Sequence, residues 1–93
     1  QTTKVKGMFV HPEQVAELAR RHPEIHRMRL VVDNPGGQDR MVLHCEIEAG
    51  GEALDQAVVA SLREVTKLRG EVAFCTPGGL PNDGKVIEDS RVY

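Results

Sequence analysis

The sequence predicts a two-layer α+β sandwich, with two helices on one face of an antiparallel sheet and the element order β-α-β-β-α-β. Three observations carry that prediction. Two segments repeat apolar residues at helical spacing, others alternate with period two, and their order lets short connections close one core. The 93 residues suffice for a single domain, 1–93, and contain no repeat, linker or low-complexity segment.

The first strand is expected in Val5-Lys6-Gly7-Met8-Phe9-Val10, where Gly7 marks a bend or a close backbone approach. Pro12 suits a first helical turn, where its missing N–H would have no partner, and Glu13 adds a favourable negative charge there. Val15, Leu18, Ala19 and His22 form the helical stripe; Arg20 and Arg21 fall near its end, and Pro23 stops it. Over 25–32 the period becomes two, placing Met28, Leu30 and Val32 on one face and Arg27 and Arg29 on the other. Asp33-Asn34-Pro35-Gly36-Gly37 is a turn, and 41–48 is the clearest strand, its Met41, Leu43, Cys45 and Ile47 facing inward. These two strands read as an antiparallel hairpin with a longer loop. After Ala49-Gly50-Gly51 the spacing predicts a helix over 52–67, with Leu54, Val58, Leu62 and Val65 inward and Ala57 and Ser61 widening the stripe. A short strand over 71–75 follows Gly70, and the remainder reads as a loop carrying Lys85 with Val86-Ile87 and a charged end. The closest architectural description is a ferredoxin-like or ACT-like sandwich.

Composition narrows the function. Twelve basic and 14 acidic residues leave a net charge of −2, so the chain lacks the basic excess of a nucleic-acid binder and any polybasic membrane patch. No apolar run approaches the roughly 20 residues of a membrane span, and no apolar signal core follows the charged start. Cys45 and Cys75 lie among apolar residues and read as reduced side chains, as expected of a cytoplasmic protein. The core is aliphatic, with one Tyr, two Phe and no Trp, and a domain of this size has little room to enclose a substrate. The chain opens Gln1-Thr2-Thr3-Lys4 without an initiator Met, as expected of a trimmed chain or a piece of a longer one.

No conventional catalytic constellation is present. His11, His22, His26 and His44 lack metal-ligand spacing, so no metal is expected. Neither cysteine has an identifiable base partner, and the Gly-Gly pairs at 36, 50 and 78 do not match a phosphate loop. Two segments stand out. In one, Gly7 between apolar residues and beside Lys4 and Lys6 offers a surface that another backbone can approach closely. In the other, Lys85 projects from a Pro- and Gly-rich loop, where a flexible ammonium is suited to phosphate or carboxylate but would need a second domain to complete a pocket.

Nearly end to end, the sequence resembles the C-terminal domain of adenylate-forming enzymes, specifically the phenylacetate-coenzyme A ligase group. The resemblance lies in Lys4-Val5-Lys6-Gly7-Met8-Phe9-Val10-His11-Pro12-Glu13-Gln14-Val15, in Arg21-His22-Pro23-Glu24-Ile25, in Leu62-Arg63-Glu64 and in Leu68-Arg69-Gly70-Glu71-Val72. It closes with Leu80-Pro81-Asn82-Asp83-Gly84-Lys85-Val86-Ile87-Glu88-Asp89-Ser90-Arg91.

The resemblance implies a mobile lid over an N-terminal adenylation domain that holds ATP, Mg2+ and an aromatic or other carboxylic acid. Lys85 would enter the site for adenylate formation. Arg91 fits the basic position after it, with a role in anchoring the loop. After rotation the Gly7 segment would border the coenzyme A tunnel, with Lys4 and Lys6 near its phosphates. The family's hinge aspartate and its nucleotide- and acid-binding apparatus are not in this sequence, so the chain alone is expected to be inactive. Coenzyme F420-adenylating and other aryl-acid ligases share this build. The competing reading is a stand-alone ACT-like ligand-sensing or dimerisation module, and pairing of two copies fits either reading. The Gly84-Lys85 tail separates the two, because a sensor has no need of it.

Overall fold

The computed structural model describes residues 2–92. The chain runs β1 (Thr3–Val5), β2 (Met8–Val10), α1 (Pro12–Arg21), β3 (Arg27–Asp33), a 3-10 turn (Pro35–Gly37), β4 (Arg40–Glu46), α2 (Glu52–Thr66), β5 (Glu71–Cys75) and β6 (Ile87–Asp89). Both helices, the β3–β4 hairpin and β5 fall where the periodicity predicts them. The two-layer α+β class holds.

Helix α1 starts where Pro12 needs no amide partner, and the Gln14 side chain accepts the His11 N–H at 2.8 Å, closing its first turn. Gln14 also donates to the Val65 carbonyl at 3.2 Å, joining the two helices. At the other end of α1, buried His22 meets Ser61 of α2 at 2.9 Å, so this ring is a core contact rather than a ligand. Val15 and Leu18 of α1 and Val58 and Leu62 of α2 are buried against Met28, Leu30, Val32, Met41, Leu43 and Cys45. The strand residues share one face because Met28 pairs with Cys45, Leu30 with Leu43 and Val32 with Met41. Ala19, expected in the stripe of α1, and Ala57, expected to widen that of α2, are exposed.

The sheet is mixed rather than antiparallel. Its order is β5-β4-β3-β6, with β3–β4 antiparallel but β4–β5 and β3–β6 parallel. Helix α2 returns the chain to the starting end of β4, so an adjacent next strand must run parallel to it. The segment expected as the first strand also behaves differently. It folds on itself as the separate ribbon β1–β2, pairing Thr3 with Val10 and Val5 with Met8. The edge of the main sheet belongs instead to β6, where Leu30 pairs with Ile87. That strand is too short for its periodicity to register, and it exists because β3 offers it an edge. Val5, Val10 and Thr3 are buried, and Thr3 Oγ1 donates to Asp89 at 3.0 Å, fixing the ribbon to β6.

Gly70 owes its place to packing. Helix α2 ends at Lys67 in the left-handed conformation, three residues earlier, whereas a methyl on Gly70 would lie 2.6 Å from Leu62 Cδ2 and 3.1 Å from the Met41 carbonyl. Leu62 is fully buried at this junction. Leu62→Ala is expected to destabilise the chain by about 3 kcal/mol, read from the urea midpoint at unchanged slope.

Candidate functional site

The loop over 76–86 leaves β5 at one sheet edge and returns to β6 at the other, crossing the face that carries no helix. Polar side chains of the sheet hold it there. Glu46 accepts the Leu80 N–H at 3.0 Å, and Arg27 donates to the Pro81 carbonyl at 2.7 Å. Further along, Arg29 pairs with Asp83 and, at 2.7 Å, with Glu88. Glu46 and Arg29 are buried despite lying on the face that alternation marks as polar. Backbone amides of Gly78 and Leu80, aided by Arg27, hold the Glu46 carboxyl below its ordinary range.

Lys85 emerges where the loop meets β6. Its backbone N–H donates to Asp83 at 3.0 Å and Gly84 turns with φ 75°, while the side chain is exposed. Beside it runs an open groove lined by Ala16 and Ala19 of α1, by Met28 and Val86, and by Asn82 and Lys85. Among the described residues, Lys85 Nζ has no ion-pair partner within 4.0 Å. An unpaired cation above an apolar groove can meet an anion brought by another surface.

The other predicted residues gather at the opposite end of β6. Lys85 and Arg91 flank β6, one on each side. Arg91 is a hub whose side chain is only 9% exposed. It forks onto Asp89 at 2.9 and 2.6 Å and reaches Asp39 at 3.1 Å, Thr3 Oγ1 at 3.0 Å and the Lys4 carbonyl at 2.6 Å. Asp39 in turn accepts the Lys6 N–H at 2.9 Å. Arg91 therefore ties the N-terminal ribbon to the C-terminal strand.

Lys6 and Gly7 form the two-residue turn of that ribbon, with φ 49° and 81°, the primed geometry that matches strand twist. A Cβ on Gly7 would meet nothing within 4 Å, so its backbone conformation, not local crowding, calls for glycine. Phe9 is 60% exposed next to the turn, and Lys4 Nζ sits 5.6 Å from its ring centroid. Lys4, Lys6 and Gly7 are thus brought together with Arg91, while Lys85 stands apart from them.

The remaining chemistry is quiet. Cys45 is buried and its thiol is pushed up to about 12, chiefly by burial; Cys75 is half-buried, and both are free. Among the described residues no group of three or more His, Cys, Asp or Glu is placed to hold a metal ion, and no buried polar side-chain atom lacks a partner. Sequence reasoning missed Arg29, Asp83 and Glu88. Two arginines alternating on a strand, with acidic residues on both sides of Lys85, were the available signal.

No protein-family model matches the chain, and no curated protein does. Among solved structures, it is similar to a domain of phenylacetate-coenzyme A ligase from Bacteroides vulgatus ATCC 8482. The TM-score is 0.87 at 17% identity, over 99% of this chain and 94% of that one. It is also similar to 2-hydroxyisobutyryl-CoA ligase in complex with 2-HIB-AMP and CoA in the thioesterification state, with TM-score 0.83 at 17% identity over 98% of this chain. The same ligase in the postadenylation state with R3-HIB-AMP gives TM-score 0.75 at 16% identity over 95% of this chain. The chain spans 21% of that ligase's length in both structures. What these likenesses establish is the shared fold.

Acid should loosen both ends of β6. Arg91 holds Asp89 far below the ordinary carboxylate range, the Lys6 amide and Arg91 lower Asp39, and the Lys85 amide and Arg29 lower Asp83. Carboxylates depressed on folding contribute stability in full above their unfolded values near pH 4, and lose it as pH falls through the folded values. Melting temperature is expected to hold from pH 7 to about 5 and to drop below about 4. Arg91→Met should flatten that acid slope as well as lower the melting temperature.

Proposed function

We propose that this chain is the mobile lid domain of an ATP-dependent acyl- or aryl-CoA ligase of the phenylacetate-coenzyme A ligase type, acting in the cytoplasm beside its own adenylation domain. One observation carries the reading. A domain whose fold matches a ligase domain over nearly its full length presents an unpaired lysine from a pinned loop, at the position the family resemblance marks. The free, unreactive cysteines suit a reducing compartment.

In this reading an acid carboxylate attacks the α-phosphorus of ATP, the bond to pyrophosphate breaks, and an acyl-adenylate forms. Lys85 would sit between the carboxylate and α-phosphate oxygens and offset the repulsion of the anions as they close. Desolvation by the second domain strengthens that interaction. Mg2+ would travel with ATP and the larger domain, since the described residues provide no ligand cluster for it. In the second half-reaction the coenzyme A thiol attacks the acyl carbonyl and AMP leaves. The Lys6–Gly7 turn would then border the channel for the pantetheine arm, and Lys4 and Lys6 would face its phosphates. Because Lys85 and this turn lie toward opposite ends of β6, rotation of the domain can exchange one for the other.

In the full-length ligase, Lys85→Ala is expected to lower acid-dependent pyrophosphate exchange by at least about 100-fold while largely sparing thioester formation from a supplied adenylate. Exchange at the unmodified rate would sink the assignment. Gly7→Asn should do the reverse. Asparagine tolerates the positive φ, so the turn survives while a side chain enters the channel. Thioesterification should fall and exchange should persist.

A further inference from the structure

Arg29 is the buried ionic group for which the proposed chemistry has no use. Its side chain is 4% exposed on the sheet face crossed by the loop, and it bridges two carboxylates from different parts of the chain. Those carboxylates bracket Lys85: Asp83 lies two residues before it and Glu88 three residues after it. On an open loop, a lysine flanked in this way would fold onto one or the other.

We propose that Arg29 keeps the Lys85 ammonium available to a substrate anion by sequestering Asp83 and Glu88, the two carboxylates nearest to it in sequence. This rests on the reading of Lys85 as the anion-contacting group, and it makes Arg29 a positioning residue.

The geometry explains why the carboxylates stay with Arg29. A planar guanidinium spans both, donating from Nη1 to Glu88 and from Nη2 to Asp83, which one ammonium cannot do. Because Arg29 is buried, releasing both partners would leave its charge unpaired in a low-dielectric site, whereas Lys85 remains hydrated. Each carboxylate also accepts a second hydrogen bond. Asp83 Oδ1 accepts the Lys85 backbone N–H at 3.0 Å, and Glu88 Oε2 accepts the Ser90 hydroxyl at 2.9 Å. Around the groove the other charged lining residue is Arg27, itself hydrogen-bonded to the loop carbonyls of Leu80 and Pro81. Asp83 and Glu88 are therefore the acids placed to capture Lys85, and both are held.

A purely mechanical pin makes a different prediction, and isosteric neutral variants separate the two. The Lys85 Cε resonance of the 93-residue chain, labelled with 13C-lysine, reports the ammonium titration directly. Arg29→Met is expected to raise the Lys85 pKa by about 0.5 unit as the freed carboxylates pair with it. Arg29→Met with Asp83→Asn and Glu88→Gln should return it to the parent value. If Arg29→Met does not fold, Arg29→Lys tests the same point, because its single ammonium frees one carboxylate and should give an upward shift about half as large.

In the full-length enzyme, pyrophosphate exchange should fall about threefold in Arg29→Met, the factor that a shift of about 0.5 unit corresponds to, and recover most of that loss in the triple variant. A Lys85 titration unchanged by the Arg29 variants, or exchange that the triple variant fails to restore, overturns the proposal. Undiminished exchange in Lys85→Ala would instead overturn the functional reading, and the Arg29 titration would still be readable on its own.

Discussion

Strand β3 must satisfy two opposed requirements within seven residues, and most of the molecule follows from how it does so. Met28, Leu30 and Val32 form the floor on which both helices pack, while Arg27 and Arg29 point the other way. Arginines there cannot remain buried without anionic and carbonyl partners. The loop over 76–86 brings them: Leu80, Pro81 and Asp83 arrive in order along the sheet. That crossing delivers the chain to the far edge of β3, where β6 adds as a parallel strand. The last edge of the sheet and the position of Lys85 are both consequences of polar groups on the face opposite the core.

At the other end of β6, Arg91 performs the corresponding task for the N-terminal ribbon. Its donors reach Asp89, Asp39, Thr3 and the Lys4 carbonyl, so strands from both chain ends share one guanidinium. The β1–β2 ribbon has little apolar area of its own, and a two-stranded hairpin is marginal by itself. Val5 and Val10 anchor it in the core, and Arg91 fixes its approach. The exposed turn at Lys6–Gly7 is thereby held near one end of β6, with Lys85 at the other.

Local pattern carried much of this. Helix α1 was readable from Pro12 and the stripe through Val15 and Leu18, α2 from Leu54, Val58 and Leu62, and the β3–β4 hairpin from alternation around a glycine-rich turn. Lys85 was singled out because a flexible ammonium on a Pro- and Gly-rich loop is suited to an anion, and because it lies in the closing segment of the family resemblance. The antiparallel sheet was the wrong expectation, because alternation gives a strand's faces and not its neighbours. The ribbon was misread because a primed two-residue turn at Lys6–Gly7 interrupts only two residues of an otherwise strand-like run. Arg29 was placed with Arg27 on the face opposite the apolar residues, but its burial was not readable there, since alternation does not say which polar face a distant loop will cover.

The sequence alone determined what depends on neighbours within a turn or two: two amphipathic helices, a central hairpin, an aliphatic core and a charged loop around Lys85. Only the tertiary structure decided the sheet order, the partners of Arg29 and Arg91, and the separation of Lys85 from the Lys6–Gly7 turn. These rest on contacts between residues far apart in the chain, such as Arg29 with Asp83 and Arg91 with Thr3. Their formation depends on which edge remains open and which buried charge still needs a partner once the core has closed.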